Sequence, residues 1–93
     1  MKLGILHLDL MIDGANSLKA KRTVLKSFKD RLTNNFNVSV AEVDNNDKWQ
    51  RASVAVAMVS NDGAHLDGAL SKVIQFTDRF HGITLLDHET EMI

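Results

Sequence analysis

The sequence predicts a single small α+β domain of element order βαββαβ, and three observations carry that reading. Residues 3–12 alternate apolar and polar, the mark of a strand with one buried face. Two amphipathic stretches of helical spacing each follow a turn with capping residues. Three further strand-like runs occupy the remaining intervals. The chain has no proline, so glycine and Asn/Asp clusters punctuate it.

The elements follow in order. In the first strand Leu6, Leu8, Leu10 and Ile12 share one side, and His7, Asp9 and Met11 the other. Asp13, Gly14, Ala15 and Asn16 form a turn, and Ser17 is a good N-cap. The first helix is expected to run to about Asn34 and to bury Leu18, Leu25, Phe28 and Leu32. Residues 36–44 form a second strand. Asn45, Asn46 and Asp47 open a loop that carries Lys48, Trp49, Gln50 and Arg51. Residues 52–60 are apolar at both parities, as in a central strand. Ser60 to Gly63 supplies the next caps, with Asn61, Asp62 and Gly63 read as capping chemistry. The second helix then turns Leu66, Leu70, Val73, Phe76 and Phe80 inward, and His81 and Gly82 end it. Residues 83–88 form the fourth strand, and the acidic tail beyond is expected to fray.

Two right-handed βαβ units joined by a hairpin give a ferredoxin-like sandwich. Its four-stranded antiparallel sheet is ordered four, one, three, two, with two helices on one face. The first and third strands are expected to run parallel. That would bring both helix starts, Asp13–Ser17 and Ser60–Gly63, to one end of the domain, as a shared pocket for anions. The third strand also offers Ala55, Ala57 and Val59 to the uncovered sheet face, which favours a homodimer through that face.

Ninety-three residues with 44% apolar content make one domain with a real core, spanning residues 1–93. No apolar run is long enough to cross a membrane, and the N-terminus does not read as a signal peptide. The chain has no cysteine, so it has no disulfide, thiolate zinc site or iron–sulfur cluster. A cytoplasmic location is expected, with no membrane partner.

Net charge is −1, but it is unevenly spread. From Ser17 to Asn34 stand six basic residues against Asp30, while the rest of the chain carries five basic and eleven acidic residues. Lys19, Arg22, Lys26 and Lys29 recur at intervals of three, four and three, which places them in one stripe along the helix. Lys19 and Arg22 lie in the first turns, where the helix dipole disfavours cations by about 0.3–1 kcal/mol each. A chain that tolerates that cost gains an anionic partner, or else simply presents a solvated helix face. Lys21 falls among the buried positions. Either its stem packs and its ammonium snorkels to water, or it reaches the helix-start pocket.

Several motifs resemble those of the bacterial YlxP-like family, a small domain of unknown function. Residues 17–22 resemble its SLKxKR signature, and residues 36–43 its FNVSVAEV strand. Residues 49–52 resemble its WQRA segment and 59–62 its VSND turn, and Leu85, Leu86 and Asp87 also fit. The resemblance covers nearly the whole chain. It implies a ferredoxin-like domain. The family's genes often lie near those of translation initiation and ribosome maturation, including a ribosome-binding factor, which implies RNA or a ribosomal particle as partner. It carries over no catalytic residue.

The predicted function is therefore binding of structured RNA or a ribosomal particle, without catalysis. The candidate nucleic-acid-binding residues are Lys19, Lys21, Arg22, Lys26, Lys29, Trp49, Gln50 and Arg51. The helix supplies phosphate contacts, and Trp49, beside Lys48 and Arg51, offers a stacking surface. The strands lack an aromatic pair, so RRM-like readout is not expected. Two alternatives stand beside this reading. One is a dimeric small-molecule-binding or protein-interaction module. The other is an acylphosphatase-like hydrolase, whose glycine-rich, arginine-bearing loop is absent here, so that Arg22 or Arg51 would have to serve. No HExxH, P-loop or GxSxG pattern occurs. His7, Asp9 and His88 could approach one another across strands but are expected to be surface residues, and no cofactor or metal is expected.

Overall fold

Leucine at every second position makes the first strand, β1 (Lys2–Ile12), the centre of the molecule. The computed structural model describes residues 1–93. After β1 come α1 (Leu18–Asn35), β2 (Ser39–Asp44), β3 (Arg51–Ser60), α2 (Gly63–Asp78) and β4 (Ile83–Met92). The sheet is antiparallel, of order β2-β3-β1-β4, with both helices on one face. This is the ferredoxin-like arrangement that the sequence predicts.

The core forms where the two helices meet the inward face of the sheet. Leu6, Leu8, Leu10 and Ile12 of β1 and Val54, Val56 and Met58 of β3 lie beneath Leu25, Phe28 and Leu32 of α1 and Leu66, Leu70 and Val73 of α2. Leu18, expected among them, is only half-buried. Phe28, Phe36, Phe76 and Phe80 form a ring cluster between the two helices, with contacting centroids 5.3–6.3 Å apart. Each helix begins as the sequence indicates. The Ser17 hydroxyl accepts from the Ala20 N–H, and the Asp62 carboxylate accepts from the N–H groups of Ala64 and His65.

Two expectations are corrected. The first and third strands do not run parallel: Lys2 pairs with Ser60 and Met11 with Arg51. The β2–β3 hairpin reverses the chain, so β3 opposes β1. Consequently α1 starts at one end of the sheet and α2 at the other. The shared pocket at Asp13–Ser17 and Ser60–Gly63 does not exist. The acidic tail does not fray either. β4 continues to Met92, pairing Gly4 with Met92 and Ile5 with Glu91, and the Ile93 N–H donates to the Leu3 carbonyl. The long β1 edge offers hydrogen bonds that far, and alternation puts Asp87, Glu89 and Glu91 on the open side.

Two register shifts shape the edges. One lies in β2 between Glu42 and Asp44, the other opposite Asp9 and Leu10 in β4. Each leaves one extra residue, Val43 and Leu86 respectively, and both are exposed.

Candidate functional site

The basic stripe is positioned by the same periodicity that buries the opposite flank of α1. Leu25, Phe28 and Leu32 point to the sheet. Val24 approaches Gly82, and the Arg31 guanidinium stands 5.6 Å from the centre of the Phe80 ring, so that flank meets the turn that follows α2. Lys19, Arg22, Lys26 and Lys29 occupy an arc of about 80° on the flank away from α2, over about 15 Å of helix. Lys19, Arg22 and Lys26 are exposed, and Lys29 is half-buried.

One carboxylate reaches the stripe. Lys26 Nζ lies 2.8 Å from Asp30 Oδ2, one turn on. Asp30 accepts its hydrogen bond and adds its charge, and together these hold the Lys26 ammonium above the usual lysine range. The pair is fully open to water, so it stays loosely held. Lys19, Arg22 and Lys29 have no carboxylate within ion-pair distance.

Lys21 is corrected from a surface cation to an internal one. Its side chain is 1% exposed, so it neither snorkels to water nor meets a partner. Nζ donates to the Asn45 carbonyl at 2.6 Å and stands 2.7 Å from Glu42 Oε2. That contact is one of charge, since no group donates a well-aligned hydrogen bond to this oxygen. Glu42 faces inward because it pairs with the buried Val54. Asn45 holds its carbonyl in place from a left-handed backbone, φ 62°, with its amide donating to Ser53 Oγ. A sequence signal for this pair existed: a lysine and a glutamate each stand at an inward position of adjacent elements.

The Trp49–Gln50–Arg51 segment separates into three roles. The Gln50 amide donates to the Ala15 carbonyl at 3.0 Å, tying the hairpin to the turn before α1. Arg51 binds both oxygens of Asp9, at 2.9 and 3.1 Å, across the open face of the sheet. Trp49 is 52% exposed, and unlike its two neighbours its side chain makes no hydrogen bond. The segment's one cation, Arg51, is therefore engaged on the open sheet face and not on the stripe.

The open sheet face has a different character. Leu3, Ile5, Ala55, Ala57 and Val59 form its apolar middle, with Val59 exposed. Asp87, Glu89 and Glu91 line one edge. His7 Nε2 contacts Glu91 at 3.4 Å, whereas His88 lies on the other parity of β4. His7, Asp9 and His88 do not converge, and no cluster of histidine and carboxylate side chains is placed to hold a metal. No helix is long and apolar enough to cross a membrane.

Residues 3–90 match the family described as "Protein of unknown function (DUF503)". The chain is 38% identical over 89 residues to "Uncharacterized protein YlxP" of Bacillus subtilis (strain 168), covering 96% of this chain and 97% of the relative. Among solved structures it is similar to the "De novo designed protein Foldit4", with a TM-score of 0.55 and 8% identity over 100% of this chain and 97% of that one. That likeness concerns the fold alone.

Proposed function

Because the chain belongs to the DUF503 family, whose function is unknown, we propose a role from its own surfaces: it binds structured RNA or a ribosomal particle through the outer flank of α1. One observation carries this reading. Lys19, Arg22 and Lys29 stay unpaired in a chain with twelve acidic residues, while a row of those acids, Asp87, Glu89 and Glu91, lies on the opposite layer. The charge separation of the sequence is thus a separation in space. Such a field orients the domain on a polyanion before contact. Cations spread over two turns and more of helix suit a phosphate backbone, which they hold by charge and without reading sequence. Lys26 contributes through its loose pair with Asp30, and Trp49 adds a stacking surface beyond the start of the helix. The role is one of binding rather than catalysis, in the cytoplasm.

The test is co-sedimentation with ribosomal subunits. The variant Lys19→Gln/Arg22→Gln/Lys29→Gln folds normally by circular dichroism and no longer sediments with the particle. Unchanged sedimentation rejects the assignment.

A second reading is favoured by the open sheet face. Val59 is 54% exposed beside Ala57 and Leu3, an apolar strip that suits pairing of two copies. Val59→Glu would then convert a dimer to a monomer in sedimentation equilibrium.

A further inference from the structure

The seam between the helices is chemically unlike the rest of the surface. Two adjoining hollows run along it, of about 580 and about 460 Å³, sharing Phe36 and Lys72. Both volumes fall within the usual span of ligand clefts. The first is floored by Met58 and Phe36, the second by Phe76 and Phe80. Arg31, Lys72 and Arg79 stand at the rim, none of them in an ion pair. No carboxylate lines either hollow, in a chain where acids outnumber bases. The amides of Asn35, Asn37 and Gln75 supply donors and acceptors along the walls. The Arg31 plane already lies over Phe80 and offers a second flat face.

Each feature selects against simpler ligands. A bare anion has no use for an aromatic floor, and an apolar ligand has none for three unpaired cations. A ligand with a planar ring, hydrogen-bonding edges and a phosphate uses all of them. We propose that this seam binds a nucleotide unit, its base against the phenylalanine wall and its phosphate on Lys72, Arg79 and Arg31. The seam lies on the opposite flank of α1 from the Lys19–Lys29 stripe, so the proposal does not rest on that reading. The unit comes either as a free mononucleotide or as an unpaired residue of an RNA chain.

Gly68 gives the sharpest variant. It lines the first hollow within α2, and a Cβ built there meets nothing within 4 Å. Gly68→Leu therefore fills the hollow while improving helix propensity. Amide NMR titrations of the wild type with adenosine monophosphate, with a hexamer of uridylate and with inorganic phosphate form the test. The nucleotide and the hexamer shift the amides of Asn35, Asn37, Gly68, Lys72 and Arg79, and phosphate binds at least tenfold more weakly. Gly68→Leu and Lys72→Gln/Arg79→Gln each lose at least tenfold in affinity and remain folded by thermal melting. The Lys19→Gln/Arg22→Gln/Lys29→Gln variant still shifts the same amides with adenosine monophosphate, which separates this site from the stripe. A hexamer tenfold tighter than the mononucleotide identifies an RNA residue as the source, and equal affinity identifies the free nucleotide. No shift in the seam up to millimolar concentrations, phosphate as tight as the nucleotide, or undiminished binding by Gly68→Leu overturns the proposal.

Discussion

Lys21 and Glu42 form an internal ion pair, Nζ to Oε2 at 2.7 Å, between the first turn of α1 and the inward face of β2. The two ends differ in their access to water. Lys21 is 1% exposed and Glu42 17%. Removing the carboxylate strands a cation that water cannot reach, whereas removing the lysine leaves an anion that water partly can. Glu42→Ala is expected to cost about 3 kcal/mol, as for other broken internal pairs, and Lys21→Met distinctly less. The double variant Lys21→Met/Glu42→Leu should recover most of the loss, since an apolar contact of similar volume replaces the pair. Urea unfolding of these proteins, with Glu42→Leu added as the matching single variant, gives the coupling. A Glu42→Ala protein as stable as wild type would contradict the assignment.

Asp30 is the one carboxylate within ion-pair distance of the stripe. Asp30→Asn frees Lys26 and removes the negative charge beside the stripe. It should tighten RNA binding and steepen its salt dependence. Lys19→Gln/Arg22→Gln/Lys29→Gln should flatten the slope of log affinity against log salt by about 2–3, at about 0.7–0.9 for each phosphate that is no longer neutralised. Both changes leave stability within about 1 kcal/mol of wild type, because the side chains replaced are exposed apart from the half-buried Lys29. Filter binding to a double-helical RNA over a salt series measures both slopes. Opposite signs for the two variants are the expected signature of backbone contact.

The contrast between Lys21 and Lys19 also marks how far the sequence could be read. Alternation in β1, the capping residues Ser17 and Asp62, and the two helical stripes dictate element order and sheet order almost unaided. These are local patterns, and the core simply satisfies them. The directions of the strands needed one more step: the short β2–β3 connection forces β3 to oppose β1, which separates the helix starts. The end of β4 was illegible because residues 87–92 are mostly polar, and only the length of β1 beside them shows that they pair. The site divides in the same way. Helical angle alone places Lys19, Arg22, Lys26 and Lys29 on one flank. It also puts Lys21 among buried residues, but its partner sits on β2, at a register fixed by the Val43 bulge. The seam of Phe36, Met58, Phe76 and Phe80 joins residues from three parts of the chain, and no spacing announces it.

Trp49, Gln50 and Arg51 are neighbours in sequence with different fates, and substitution should separate them. Gln50→Ala removes the hydrogen bond to the Ala15 carbonyl, whose residue is 3% exposed, and should cost about 1 kcal/mol. Trp49→Ala removes a side chain that is half exposed and should cost less than that while lowering RNA affinity. Arg51→Ala breaks the contact of Nη2 with both Asp9 oxygens on an open face, for about 0.2–1 kcal/mol. Thermal melts rank the three, with Gln50 expected to matter more than its exposure implies.

Gly4 controls how closely α2 packs on the sheet. It lies in β1 on the inward side, opposite Met58 and Met92. A Cβ built there would stand 2.7 Å from Leu70 Cδ1 and 3.3 and 3.4 Å from Met92 Sδ and Leu66 Cδ2. Leu66 and Leu70 are themselves buried, so neither can swing into water to make room. Gly4→Ala would therefore lift the first turns of α2 from the sheet, despite alanine's smaller loss of backbone freedom on folding. The expected cost is about 1–3 kcal/mol, as for other overpacked cores. The diagnostic is a rescue: Leu70→Ala alone leaves a cavity and destabilises by about 2–5 kcal/mol, but combined with Gly4→Ala it should lose less than the sum of the two. Additive losses in calorimetry would mean that the strand backbone, rather than the leucine, resists the added methyl.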